Sequence, residues 1–301
     1  MLYPCTVKRR YPLDESLRSL FLIHTPLSRP LFPLSSAFMS PFTLTSGSEV
    51  MVTKVNTGSC RSLLVTPKGG EKYPVLLYLH GGAFVYKAAP YHYRNVREYA
   101  VRGRCRVLMP DYRLSPKWKY PAAVEDALEA YKWAQGNLSP SSIAVGGDSA
   151  GGEIALSLTR RIIEEGIAKP WFLMLVYPVV TPRGTETKEL YKDTPVWNSV
   201  LNERMWKLYL GDGEYHDVLD STDLPQVPPC YIETAEFDAL RGDGEMLRAA
   251  LEKNGVGVTY RCVMRTCHGY DMVSSSPITK TSMELRIRYI LDGFSQNKKL
   301  L

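Results

Sequence analysis

Residues 142–158, reading Ser-Ile-Ala-Val-Gly-Gly-Asp-Ser-Ala-Gly-Gly-Glu-Ile-Ala-Leu-Ser-Leu, constrain the fold more than any other stretch of the chain. Ile143, Ala144 and Val145 have the composition of a short buried strand, and Gly147-Asp148-Ser149-Ala150-Gly151 follows at once. Ile154, Ala155, Leu158 and Ile162 then recur at helical spacing. A G-x-S-x-G pattern between a strand and a helix is the context of a nucleophile elbow. The sharp turn strains the serine backbone, and small neighbours let strand and helix approach each other. The hydroxyl then stands clear of the sheet at the positive end of a helix dipole. Taken alone, the same pattern also describes a glycine-rich turn that merely starts a helix, so the rest of the chain has to decide.

Apolar runs over 75–79, 106–109, 143–145, 172–177, 231–234 and 258–263 alternate with helical patterns over 93–101, 122–134, 153–165 and 244–254. Such alternation predicts an α/β fold, a mostly parallel central sheet flanked by helices. Segments 50–55 and 60–65 alternate around Asn56-Thr57-Gly58 and predict a hairpin, and a last helix over 283–294 closes the sheet. Two regions break the rhythm. Residues 1–48 are rich in irregularly spaced prolines yet too apolar for a solvated tail, which predicts short helical pieces lying on something else. Residues 181–229 show no strand pattern; only 202–210 look helical, and so long an insertion between strands reads as a lid. The expected organisation is an N-terminal cap segment, 1–48, and a catalytic domain, 49–301, with a cap insertion at about 181–229.

A serine nucleophile needs a base, an orienting acid and an oxyanion hole. Of five histidines, His268 follows the last strand directly, in Cys267-His268-Gly269-Tyr270. Loops at the carboxyl ends of parallel strands are where an open sheet presents its site. The acid should end the preceding strand, where Glu236 and Asp238 both qualify; Asp238 is taken, and Asp243 is read as the cap of the following helix. After strand 75–79 comes His80-Gly81-Gly82-Ala83-Phe84, whose adjacent glycines let backbone N–H groups turn into a cavity. Those donors, with the N–H of Ala150, are placed to hold an oxyanion, whereas His80 itself is read as structural. Cys267, beside His268, is either a thiol whose modification would block the site by bulk or a plain buried cysteine.

Composition removes other classes. The net charge of +6 is spread along the chain, and its basic groups lack the aromatic or glycine motifs of nucleic-acid modules. No apolar run is long enough to span a bilayer. The apolar patch 20–23 is too short for a signal-peptide core. Six cysteines without a C-x-x-C pair or zinc spacing read as reduced thiols, so the expectation is a cytoplasmic protein.

Together, His80-Gly81-Gly82-Ala83-Phe84, Asp111-Tyr112-Arg113-Leu114-Ser115-Pro116, Gly147-Asp148-Ser149-Ala150-Gly151-Gly152, Asp238 and His268 resemble the hormone-sensitive lipase family of α/β-hydrolases, within it the microbial carboxylesterases and acetyl esterases. The resemblance runs from about residue 72 to the C-terminus. It implies an α/β-hydrolase fold, a catalytic triad of Ser149, His268 and Asp238, and an oxyanion hole from Gly81, Gly82 and Ala150. It also implies that Asp111-Tyr112-Arg113 buttresses the glycine loop, and that 1–48 and the insertion after strand six build a cap. Two positions depart from the family: Ala83 stands where a third glycine is frequent, and Glu153 stands where Asn is usual. The function implied is a serine carboxylic-ester hydrolase acting on acetyl to butyryl esters, with no cofactor or metal. The expected partner is a small-molecule ester, with no nucleic acid and no stable membrane association, and a homodimer is left open. An amide or formamide hydrolase would use the same residues; a non-catalytic binding protein on this scaffold is the alternative from a different class.

Overall fold

The structure, a computed structural model, describes residues 11–23, 25, 27, 44–70, 73–210, 215–222 and 224–296. Eight strands form one sheet: β1 (Val50–Asn56), β2 (Arg61–Pro67), β3 (Val75–Leu79), β4 (Arg106–Pro110), β5 (Ile143–Asp148), β6 (Leu173–Val176), β7 (Cys230–Phe237) and β8 (Val258–Cys267). Their order is β1-β2-β4-β3-β5-β6-β7-β8. The expected hairpin is present as β1–β2, β2 also runs antiparallel to β4, and every other pairing is parallel.

Strands buried on both faces read as unbroken apolar runs because each face needs its own core. Along β3, Val75, Leu77 and Leu79 enter one core, with α2 (Ala122–Leu138), α3 (Ala150–Glu164) and α6 (Arg241–Lys253). Leu76 and Tyr78 enter the other, with α1 (Pro90–Arg102) and α7 (Pro277–Gln296). Proline opens α1, where its missing N–H costs no intrahelical bond. The chain leaves β3 for β4 on one side and returns to β5 on the other, which creates a switch point between the carboxyl ends of β3 and β5. Both motif loops, 80–84 and 147–152, hang at that point.

Between β6 and β7 lie α4 (Glu186–Leu190), α5 (Ser199–Leu210) and two 3-10 turns, Val218–Asp220 and Leu224–Gln226, with no strand among the described residues. Met205, Trp206 and Tyr209 of α5 are buried against Phe84 and the core that contains α3. In the N-terminal segment a 3-10 helix, Glu15–Leu22, starts at Asp14, whose carboxylate accepts from the Ser16 N–H at 3.0 Å. Leu17 and Leu20 pack on Val176, Tyr177, Val263 and Cys267. Most of 24–43, including Phe32, Phe38 and Phe42, lies outside the described residues. Among the described residues no helix is long and apolar enough to cross a membrane.

Candidate active site

Ser149 joins β5 to α3 with φ 53° and ψ −120°, a conformation a non-glycine residue holds only when its surroundings enforce it. The enforcement is close packing. A Cβ on Gly151 would stand 1.9 Å from the Leu79 carbonyl oxygen, and one on Gly147 would stand 2.3 Å from that of Gly151. The Ser149 N–H donates to the Val176 carbonyl at 3.0 Å, tying the elbow to β6.

Ser149 Oγ lies 2.9 Å from His268 Nε2, and His268 Nδ1 lies 2.7 Å from Asp238 Oδ2. A carboxylate at Nδ1 places the imidazole proton there and leaves Nε2 to accept from the serine hydroxyl. Ser149 and His268 are 7% and 6% exposed and Asp238 is fully buried, so all three are shielded from bulk water. Asp238 Oδ1 accepts from the Leu240 N–H at 2.9 Å, which fixes the carboxylate plane. Glu236, the other candidate acid, faces away and accepts from the Arg265 N–H at 2.5 Å. The Tyr177 ring meets the His268 ring edge-on with centroids 4.7 Å apart, and Trp197 of the insertion stands 6.0 Å from it.

The glycine loop corrects one expectation. The Gly81 N–H donates to Asp148 Oδ1 at 3.0 Å, so it is spent inside the protein and cannot serve an oxyanion. Among the described residues the N–H groups of Gly82, Ala83 and Ala150 have no hydrogen-bond partner. Ala83 and Phe84 carry φ values of 54° and 60°, so the loop stays left-handed without the third glycine. Asp148 is the hub beneath it: it also accepts from Tyr78 at 2.8 Å, Tyr91 at 3.2 Å and His92 Nε2 at 3.0 Å. Burial would raise the Asp148 carboxyl, but His92, the Tyr78 hydroxyl and His80 outweigh it and hold the group at about 2. His80 is structural as expected, stacked on Tyr112 with centroids 4.4 Å apart; burial and the neighbouring His92 lower it to about 4. Tyr112 donates to the His80 carbonyl at 2.6 Å, and the Ser115 N–H donates to the Phe84 carbonyl at 2.9 Å. Arg113 Nε in turn donates to the buried Asp126 at 2.8 Å, so the 111–116 loop braces the glycine loop against α2.

One further expectation changes, and one open alternative closes. Asp243 is not a helix cap, because α6 begins at Arg241. Its buried carboxyl accepts from the Val180 and Thr181 N–H groups at 3.1 and 3.3 Å and pairs with Lys188 Nζ at 2.7 Å, joining α6 to the start of the insertion. Burial raises it to about 6 against the pull of Lys188. Cys267 is fully buried under the N-terminal 3-10 helix, and burial pushes its thiol far up, so the site carries no accessible thiol there.

One cluster was missed. Arg286 of α7 is buried and pairs with Glu233 of β7 at 2.5 Å and with Asp271 at 2.8 Å. Tyr177 donates to the same Asp271 at 2.6 Å, so the cluster anchors both the loop after His268 and the ring that abuts His268. A signal existed: Arg286 falls on the apolar stripe Met283, Ile287, Ile290 and Phe294 of α7, where an unpaired cation would be prohibitive.

A strained serine at a strand–helix turn, hydrogen-bonded through histidine to a buried aspartate at a sheet switch point, defines an α/β-hydrolase. The α/β-hydrolase fold family matches residues 76–272, and the chain belongs to it, in agreement with the hormone-sensitive-lipase-like motifs. Esterase LipI of Mycobacterium tuberculosis is 33% identical over 209 residues, which cover 65% of this chain and 65% of its own. Carboxylesterase NlhH of the same organism is 32% identical over 218 residues, 66% of this chain and 67% of its own. The match thus spans about two thirds of these relatives' length. The structure of a bacterial heroin esterase superposes with a TM-score of 0.84 at 26% identity, over 94% of this chain and 98% of that one.

Proposed function

We propose that this chain is a serine carboxylesterase that cleaves short-chain acyl esters, acetyl to butyryl, through an acyl-enzyme. The observation that carries the reading is the continuous hydrogen-bonded line Ser149 Oγ–His268 Nε2 and His268 Nδ1–Asp238 Oδ2, 2.9 and 2.7 Å long, on an elbow serine. His268 Nε2 takes the hydroxyl proton as Ser149 Oγ bonds to the ester carbonyl carbon, and Asp238 stabilises the imidazolium. The carbonyl oxygen becomes an oxyanion held by the N–H groups of Gly82, Ala83 and Ala150. Collapse breaks the ester C–O bond, and the imidazolium protonates the departing alcohol. Water, deprotonated by the same imidazole, then attacks the acyl carbon, and Ser149 leaves with its proton restored. Both named relatives, an esterase and a carboxylesterase, support the same reaction class.

The described parts of the N-terminal segment and of the insertion after β6 act as a cap beside this centre, and its contents set the acyl length. Trp197 and Tyr177 flank His268, and Met205 and Trp206 are packed into the core, and bulky rings so close to the histidine support a preference for short acyl groups. Each methylene that fits adds about 0.8 kcal/mol, and overpacking past that point costs ~1–3 kcal/mol. The test is kcat/KM for p-nitrophenyl acetate, butyrate, octanoate and palmitate beside a p-nitroanilide of the same acyl group. A maximum at acetate or butyrate is expected; a maximum at octanoate or longer overturns the chain-length reading, and preference for the anilide overturns the esterase reading.

A further inference from the structure

Glu153 lies on α3 four residues after Ser149, where the resemblance leads one to expect Asn. Its carboxyl is 1% exposed, and among the described residues no Lys or Arg pairs with it. Three hydroxyls satisfy it instead: Ser157 on the same helix at 2.6 Å, Tyr209 at 2.8 Å and Tyr215 at 3.3 Å. Both tyrosines belong to the insertion, so this one carboxyl ties the elbow helix to the cap. The line continues beyond it. The Tyr209 ring lies flat on Phe84, with centroids 3.6 Å apart and planes 2° from parallel. Phe84 directly follows Ala83 in the left-handed turn that aims the glycine-loop N–H groups. The Tyr209 carbonyl also accepts from the Tyr120 N–H at 2.9 Å, fixing α5 to the body of the domain at the same point.

We propose that Glu153 is a positioning residue that holds the oxyanion loop in register with the elbow, acting through Tyr209 on Phe84. This rests on the serine-esterase reading above. The physical basis is preorganisation: oxyanion donors act only at about 3 Å from the developing charge, and a displacement near 1 Å costs on the order of 10²-fold in rate. A buried carboxyl without a cation is costly to keep. It binds two tyrosyl hydroxyls from separate parts of the insertion at once, which the shorter Asn side chain cannot span. Tyr112, Tyr120, Tyr209, Tyr215 and Asp217 are titratable groups that act on it, and none supplies a positive charge.

The test compares the full-length wild type with Glu153→Gln, Glu153→Ala, Tyr209→Phe and the Glu153→Ala/Tyr209→Phe pair. Readouts are kcat and KM for p-nitrophenyl acetate and the rate of fluorophosphonate labelling, each taken well below the variant's Tm. Glu153→Ala and Tyr209→Phe should each lower kcat roughly 10- to 100-fold with KM little changed. Glu153→Gln, which keeps an acceptor for Tyr209, should recover most of the loss. The pair should be no worse than its worse member, because both act on one link. Wild-type kcat in a folded Glu153→Ala, or losses that multiply in the pair, overturn the proposal. If Glu153→Ala does not fold, Tyr209→Phe decides, since it keeps the stack on Phe84 and loses only the hydroxyl; unchanged kcat there also overturns it. A wild type that neither hydrolyses the ester nor takes up fluorophosphonate removes the esterase reading itself. A labelled, active wild type with unaffected variants removes this inference alone.

Discussion

Replacing Glu153 by Gln should change how stability depends on pH, in a direction and by an amount the structure dictates. Burial lifts the Glu153 carboxyl from 4.5 to about 7, while hydroxyl donation from Ser157, Tyr209 and Tyr215 pulls the other way and loses. Below pH 4.5 the group is protonated in both folded and unfolded chains and contributes no difference. Between 4.5 and about 7 the unfolded chain gives up its proton and the folded one keeps it, so stability falls as pH rises. Above about 7 both are ionised and the loss is complete. At about 1.4 kcal/mol per pH unit, the gap corresponds to about 3 kcal/mol. Asp243, raised to about 6, adds a loss of the same sign, and His80, lowered to about 4, gives a gain as pH rises. Both are shared by wild type and variant and cancel in the comparison. Urea unfolding followed by tryptophan fluorescence at several pH values between 4 and 8 measures it. The stability of Glu153→Gln relative to wild type should rise by about 3 kcal/mol across that range. A difference that stays flat with pH would show that the carboxyl titrates alike in both states, and a falling one that the folded protein prefers the carboxylate; either refutes the reasoning.

Asp238→Asn should lower ester turnover by roughly 10⁴-fold by supplying the wrong hydrogen-bonding pattern to His268 Nδ1, with the unfolding midpoint close to wild type. Asp243→Asn should do the reverse, leaving turnover per folded molecule intact but destabilising the protein by about 3–5 kcal/mol, since Lys188 is left buried without its counter-charge; urea midpoints read this directly. Cys267 should resist maleimide in the native protein and react only after unfolding, which intact-mass spectrometry with and without urea resolves.

The sheet was legible because parallel strands buried on both faces write themselves as apolar runs: 75–79 and 143–145 lie within observed strands, and the 50–65 hairpin follows from its alternation. Helix starts were less so. α3 begins at Ala150 rather than 153, because Gly151 and Gly152 serve close approach, to the end of β3 and to Pro178 after β6 respectively, and carry no apolar signal. The three-residue error at the start of α6 is what turned Asp243 from an inward ion-pair partner into an apparent cap. That Ser149, His268 and Asp238 come together was readable because each directly follows a strand, so position along the chain already implies position in space. Which glycine N–H is left unpaired was not. Two adjacent glycines look alike in sequence, and only Asp148, 67 residues from Gly81, decides which one points inward. Partners of Glu153 lie 56 and 62 residues away in an insertion without periodicity, so the link between cap and elbow could not be seen before the fold.

The central claim is that Ser149 is the nucleophile of an acyl-transfer site. Its most direct test is peptide mapping by mass spectrometry after treatment with a fluorophosphonate, run on wild type and Ser149→Ala with esterase activity followed in parallel. One phosphonyl group per chain on Ser149, gained in step with the loss of activity and missing from Ser149→Ala, is the predicted result. A label on another residue, or esterase activity surviving full modification of Ser149, would contradict it.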